Sequence, residues 1–125
     1  MEAILNPEPR MLPLVTSTEQ WRQSECLSLS NCPLSVQQIT HFKQAWIWSL
    51  RLGVNDVETL IQAALRHGDD FVYYKFSCCS FTDDAIRYVR RSPFRCRKHR
   101  PVGQLEVFLK RKIRVGELTI RRKQN

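Results

Sequence analysis

The side chains best suited to chemistry in this sequence are the basic residues of its C-terminal third. Residues 86–125 hold fourteen Lys or Arg and two acidic residues, a net formal charge of +12, whereas residues 1–85 hold six basic and ten acidic residues, a net charge of −4. Arginine accounts for fourteen of the twenty basic residues. Because guanidinium groups keep their charge, bind phosphate in a bidentate manner and stack on bases, this bias predicts nucleic-acid binding.

The candidate binding residues fall on a predicted short helix, on the loop that follows it, and around two predicted C-terminal strands. Phe108 is the candidate for stacking on a base, because strand alternation turns it away from the apolar face formed by Leu105, Val107 and Leu109. The candidates for phosphate binding are Arg87, Arg90, Arg91, Arg95, Arg97, Lys98, Arg100, Lys110, Arg111, Lys112, Arg114, Arg121, Arg122 and Lys123.

The sequence favours RNA over DNA as the partner. A helix-turn-helix is disfavoured because the second predicted helix offers only Arg66 for phosphate binding and carries Asp56 and Glu58, which repel phosphate. The sequence has no GXXG clamp, RNP1 motif or two-Cys two-His finger. The runs 97–101 and 110–112 also fit a nuclear localisation signal, so the expected location is the nucleus and the cytoplasm.

Five cysteines are spread along the chain. Their odd number, together with an N-terminus that lacks a secretory signal pattern, predicts reduced thiols and an intracellular protein. Adjacent cysteines rarely bind one tetrahedral ion, and the Cys and His spacing departs from known zinc patterns. We therefore expect no cofactor, with structural zinc as the alternative. The candidate zinc ligands are Cys78, Cys79, Cys96 and His99. If only one of the adjacent cysteines binds, the fourth ligand would be His67 or His41.

No arrangement of residues in the sequence is typical of catalysis. The acidic pairs at 69–70 and 83–84 fit turn and helix-cap positions, and the conceivable Cys–His pairs have no orienting partner. The expectation is a non-enzymatic protein. No window of about 18 apolar residues occurs, which predicts no membrane-spanning helix and no membrane partner.

The pattern of the chain predicts an α+β fold in a single domain at 16–125, with the basic region at 86–125, after a flexible leader at 1–15. Capping-box spacing at Thr16 and Glu19 predicts a short helix through Trp21. Residues 24–33 resemble a loop. Apolar residues at helical spacing then predict an N-terminal helical hairpin of two helices, 35–52 and 55–67. Those in the first helix are Val36, Ile39, Phe42, Trp46 and Leu50.

The second half of the chain changes to strand patterns. Residues 71–76 are aromatic and β-branched, which predicts a strand, and Thr82 is placed to cap a short helix that ends before Pro93. The segment 102–107 is echoed at 115–120, with apolar residues at alternate positions in both copies. This echo predicts a basic C-terminal β-hairpin.

Trp48 and Ile47 lie off the apolar stripe of the predicted first helix, so that helix offers a second apolar face. Such a face would form a homodimer or bind a host protein. The alternative function is therefore a protein-interaction adaptor, whose basic clusters serve only for nuclear localisation. The Arg-rich composition with several free cysteines is common among small viral accessory proteins, and we expect such an accessory or regulatory role.

Overall fold

The computed structural model describes residues 4–5, 18–30, 35–68, 71–95, 104–111 and 115–122. Within these ranges the chain alternates between strands and helices, as expected of an α+β fold. The helices are α1 (Glu19–Gln23), a 3-10 helix (Val36–Ile39), α2 (Val54–Arg66) and α3 (Asp83–Arg91). The strands are β1 (Ile4–Leu5), β2 (Cys26–Ser30), β3 (Gln44–Trp48), β4 (Arg51–Leu52), β5 (Val72–Phe81), β6 (Glu106–Arg111) and β7 (Gly116–Arg122).

The strands form one mixed sheet in the order β1-β2-β3-β5-β7-β6, with β4 paired to β5. Strands β1, β2, β3 and β5 are parallel, while β7 is antiparallel to both β5 and β6. Strand β6 therefore lies at one edge of the described sheet. The residues after α3 return to this edge, where Arg95 pairs with Val107.

The helices pack on one face of the sheet. Alternate residues of each central strand are buried on that face, including Ala45, Ile47, Tyr74, Phe76 and Leu118. They join the inward residues of α2 and α3 in a single hydrophobic core. Helix α2 contacts α3 and β7, and α3 contacts β6. Because side chains alternate between the two faces of a strand, the neighbouring residues of the same strands point away from the helices.

Most of the second half of the fold agrees with the sequence prediction. Helix α2, strand β5, helix α3 and the C-terminal hairpin are confirmed. The Thr82 hydroxyl accepts from the backbone N–H of Ala85 at 3.2 Å, as expected of a helix cap. In the hairpin, Val107 lies opposite Ile120 and Leu109 opposite Leu118, which makes the shared apolar face that the sequence echo indicated.

The predicted helix over 35–52 is wrong, and with it the helical hairpin. The segment forms the 3-10 helix, then β3 and β4. Ile39 and Phe42 are buried as the helical stripe required, but Ala45 and Ile47 are buried at a spacing of two, which is the strand period. Parallel pairing of β3 with β2 and β5 supplies the hydrogen bonds that a helix would have made internally.

The N-terminal third also departs from the expected loop and leader. Residues 26–30 of the expected loop form β2, which buries Leu27 and Leu29 at alternate positions. Ile4 and Leu5 of the expected leader pair with β2. The short helix around Trp21 is confirmed, but its cap is Thr18 and its first residue is Glu19, so the capping box predicted from Thr16 and Glu19 is wrong. In the described part of the chain, no helix has the length and apolar character to cross a bilayer.

Candidate nucleic-acid interface

The sheet face that points away from the helices carries large aromatic side chains. We call it the open face and define it by its central residues, each of which is partly or fully exposed. They are Trp46, Trp48, Tyr73, Lys75, Phe108, Lys110, Glu117, Thr119 and Arg121. An antiparallel or mixed sheet that faces water usually carries polar residues there. Four aromatic residues on a sheet face that points to solvent are unusual, and they indicate that this face binds a partner.

Planar groups on four neighbouring strands form a band across the open face. The rings of Trp46 on β3 and Tyr73 on β5 lie with centroids 5.9 Å apart at 39°. Tyr73 is the direct cross-strand neighbour of Arg121 on β7. The Arg121 guanidinium lies 4.6 Å from the centroid of the Phe108 ring on β6. We call these four residues the aromatic band.

A cavity of about 280 Å³ opens beside the aromatic band. It is lined on one side by Tyr73 and Phe108 and on the other by polar groups of β6 and β7. Lys110 and Arg121 supply donors, Glu117 an acceptor and Thr119 a hydroxyl group. Apolar walls with a few convergent polar groups are typical of small-molecule and cofactor sites. The arrangement suits a planar, polar-edged group such as a base.

Two ion pairs hold the charged residues of the open face in place. Arg121 Nε lies 3.0 Å from Glu106 Oε2, and the two side chains are 32% and 22% exposed. Lys75 Nζ lies 3.6 Å from Glu117 Oε1 with both side chains about one-third exposed. The pair with Glu106 orients the Arg121 plane over Phe108, and surface pairs of this kind add little to stability.

Exposed cations of the C-terminal region lie on β6, on the segment that pairs with it, and at the end of α3, which contacts it. Arg90 and Arg91 end α3, the chain then brings Arg95 to pair beside Val107, and Lys110 and Arg111 end β6. Within the described ranges, no carboxylate lies within ion-pair distance of Arg90, Arg91, Lys110 or Arg111. We call these five residues the basic edge.

Three other candidates for phosphate binding are engaged within the protein. Arg87 forms an exposed ion pair with Asp84 one turn earlier in α3. Arg121 is held by Glu106 and Phe108, as described above. Arg122 is only 8% exposed, and its Nη1 points at the backbone oxygen of Ala64 at 3.5 Å. Burial removes Arg122 from the surface that a phosphate could reach.

The remaining basic candidates and part of the zinc set lie outside the described residues. Among the candidate zinc ligands that are described, Cys78 is exposed and Cys79 is buried, with its Sγ 3.3 Å from the Ser77 backbone oxygen. Burial raises the pKa of the Cys79 thiol. The described residues contain no group of three potential metal ligands. The candidates outside the described residues are Arg97, Lys98, Arg100, Lys112, Arg114, Lys123, Cys96 and His99.

The two histidines considered as a fourth ligand contact backbone oxygens. His41 Nε2 lies 2.7 Å from the Trp21 oxygen, and His67 Nε2 lies 3.0 Å from the Thr40 oxygen. His67 follows α2 at the end of the sheet where β5 begins, roughly 20 Å along β5 from Cys78 and Cys79. In the described residues, then, these side chains do not come together.

Sequence reasoning identified Phe108 on the open face but missed Trp46 and Tyr73. Trp46 had been placed in the core because it fits a helical stripe with Ile39 and Phe42. The signal that would have placed it correctly is the alternation of small or aliphatic Ala45 and Ile47 with larger or polar neighbours. Ile47 is 2% exposed on the opposite face from Trp48, so the predicted second helix face for an adaptor does not exist.

Comparison of the chain with protein-family models, with curated proteins and with solved structures finds no match.

Proposed function

We propose that this chain is a non-enzymatic nucleic-acid-binding protein with a preference for RNA. The observation that carries the proposal is the charge separation, with +12 in residues 86–125 against −4 in residues 1–85. A cationic region of this strength attracts the phosphate backbone over a Debye length of about 8–10 Å.

The placement of the exposed cations supports the proposal. Lys110 and Arg111 of the basic edge lie on β6, and Arg90 and Arg91 lie at the end of α3, which contacts β6. Because these exposed cations have no carboxylate partner in the described part of the chain, they can bind phosphates without first breaking an ion pair. Each phosphate neutralised in this way releases condensed counterions, which is the driving force of non-specific binding.

The test is a salt titration of binding to single-stranded RNA, duplex RNA and duplex DNA. If six to ten phosphates are contacted, the affinity should fall by roughly 10³- to 10⁵-fold between about 50 and 200 mM salt. The double change Lys110→Ala with Arg111→Ala should lower the slope of log affinity against log salt by about 1 to 1.5. Single-stranded RNA is expected to bind most tightly.

A matched control removes the same charge elsewhere. Arg51 and Arg66 are exposed cations of the first 85 residues, without an ion pair among the described residues. Changing both to Ala gives the same net charge as the basic-edge variant and should lower the slope by less than half as much. Binding that ignores salt, or no binding to any of the three nucleic acids at about 50 mM salt, would overturn the proposal.

A further inference from the structure

The open face presents flat aromatic side chains to solvent and does not pack against the helices. Trp46, Tyr73 and Phe108 are partly exposed, although each could have been a small polar residue without disturbing the buried face of its strand. The Arg121 plane completes the aromatic band at 4.6 Å from Phe108. Single-stranded RNA is recognised by bases that stack on aromatic side chains or on guanidinium planes, and both kinds of surface are present here.

The dimensions of the band suit two or three bases. Trp46 on β3 and Phe108 on β6 are separated by three strand spacings, roughly 14 Å. Four-stranded sheets that bind RNA stack two or three bases across a comparable width. A duplex could not use the band, because its bases are already paired and stacked with one another.

The polar groups beside the band favour ribose and base edges over phosphate within the cavity. Glu117 repels a phosphate but accepts a hydrogen bond from a base amino group or from a 2′-hydroxyl. Thr119, which lies between Lys75 and Phe108 in the strand register, can donate or accept in the same space. The 2′-hydroxyl is the group by which proteins distinguish RNA from DNA.

The cations of the basic edge indicate where the phosphates of a bound RNA strand contact the protein. Lys110 belongs to both the open face and the basic edge, since it lines the cavity and lies beside Arg111 at the end of β6. A strand whose bases lie on the band therefore reaches the basic edge at the Phe108 end of the band, where Lys110 and Arg111 can contact its phosphates. Strand β2, on the opposite side of the described sheet, contains no Lys or Arg, and Glu25 just before it pairs with Lys43.

We propose that the open face is a base-stacking site for single-stranded RNA, in which Trp46, Tyr73 and Phe108 each hold a base. The polar groups of the cavity form hydrogen bonds with base edges and with the ribose. This proposal rests on the proposed function and deepens it, because it assigns a site that does not depend on phosphate contacts.

The test measures binding of a single-stranded RNA of about ten nucleotides to three variants. Phe108→Leu keeps apolar bulk on the sheet but removes the ring, and should weaken binding roughly 5- to 150-fold with an unchanged salt slope. Phe108→Trp should restore or exceed the original affinity. Tyr88→Ala removes a partly buried aromatic residue from α3, on the helix side, and should leave RNA affinity unchanged.

The outcomes separate this proposal from the proposed function. If Phe108→Leu binds like the original protein while Lys110→Ala with Arg111→Ala still lowers the salt slope, the stacking site is overturned and nucleic-acid binding stands. If the original protein binds no RNA at about 50 mM salt, both are overturned. If Phe108→Leu instead abolishes self-association in sedimentation and leaves RNA affinity unchanged, the open face is an interface between copies and the stacking site is overturned.

Discussion

The Tyr74 side chain crosses the core from β5 and links β5 to the segment that follows the 3-10 helix. Its hydroxyl group donates a hydrogen bond to the backbone oxygen of Phe42 at 2.5 Å, and the whole residue is buried. Burial disfavours the charged phenolate and raises the pKa of Tyr74 above its ordinary value of 10.0. The nearby Arg66 opposes this effect but does not outweigh it.

This residue should make the stability of the protein fall at high pH. Above about pH 10 the unfolded chain releases the Tyr74 proton whereas the folded protein keeps it, so the stabilisation is complete below pH 10 and is lost above it. The loss reaches about 1.4 kcal/mol per pH unit. Tyr74→Phe should cost roughly 1–3 kcal/mol at pH 7, because it leaves the Phe42 carbonyl without a donor.

Urea unfolding between pH 7 and pH 11 measures both effects. The stability difference between the original protein and Tyr74→Phe should shrink as the pH rises above 10. Tyr73→Phe, on the open face of the same strand, is the control for losing a partly exposed tyrosine hydroxyl group at pH 7. A Tyr74→Phe difference that stayed constant to pH 11 would contradict the buried, neutral state of this tyrosine.

At the scale of elements, Gly116 joins the two halves of the sheet. It opens β7 and pairs with Arg111 of β6 on one side and with Cys79 of β5 on the other. A Cβ atom at this position would lie 2.7 Å from the Lys110 backbone oxygen and 2.9 Å from the Phe81 ring. Backbone cannot yield to such a contact without shifting the strand pair.

Gly116→Ala is therefore expected to destabilise the protein by roughly 1–3 kcal/mol. Gly53→Ala is the matched control, because its added Cβ would meet only the Asp56 carboxylate at an ordinary 3.6 Å. Gly53 is the N-cap of α2, where Ala is less favourable than Gly, so the control should cost at most about 1 kcal/mol. The denaturation midpoint measures both, and equal midpoints for the two variants would show that the hairpin adapts to the methyl group.

The elements that could be predicted from the sequence are those with a strong local signal. The hairpin of β6 and β7 needs only a short connection, α2 shows its helical period over three turns, and β5 is a run of aromatic and β-branched residues. Strand β3 was missed because Ile39, Phe42 and Trp46 also fit a helical stripe, and the pairing with β2 and β5 that makes it a strand is not visible in a local pattern. In β2 the alternating Leu27 and Leu29 were present, but the intervening serines suggested a loop.

The same difference explains how much of the candidate site could be predicted. Charge is a property of composition, so the basic edge could be expected before its geometry was known. The aromatic band required knowledge of which strands are neighbours, because Trp46, Tyr73 and Phe108 are far apart in sequence. Only Phe108 lay in a strand whose alternation could be recognised locally.

At the scale of the whole molecule, the sheet separates two kinds of binding chemistry. The basic edge attracts any polyanion and should do so with a strong dependence on salt. The open face carries Lys75, Lys110 and Arg121 against Glu106 and Glu117, so its net charge is small and its contribution comes from stacking. The binding free energy should therefore have an electrostatic part, which salt weakens, and a stacking part, which salt leaves unchanged.

Inorganic polyphosphate provides the means to separate these parts, since it is a phosphate polymer without bases. Plots of log affinity against log salt should fall for both polymers, and more steeply for polyphosphate, whose phosphates lie closer together. At the highest salt the RNA line should lie higher by at least about 30-fold, because stacking of two bases adds roughly 2 kcal/mol or more that salt does not screen. Phe108→Leu should lower the RNA line towards the polyphosphate line and leave the polyphosphate line in place. If polyphosphate binds as tightly as RNA at the highest salt, attraction by the basic edge alone accounts for binding and the open face has another role.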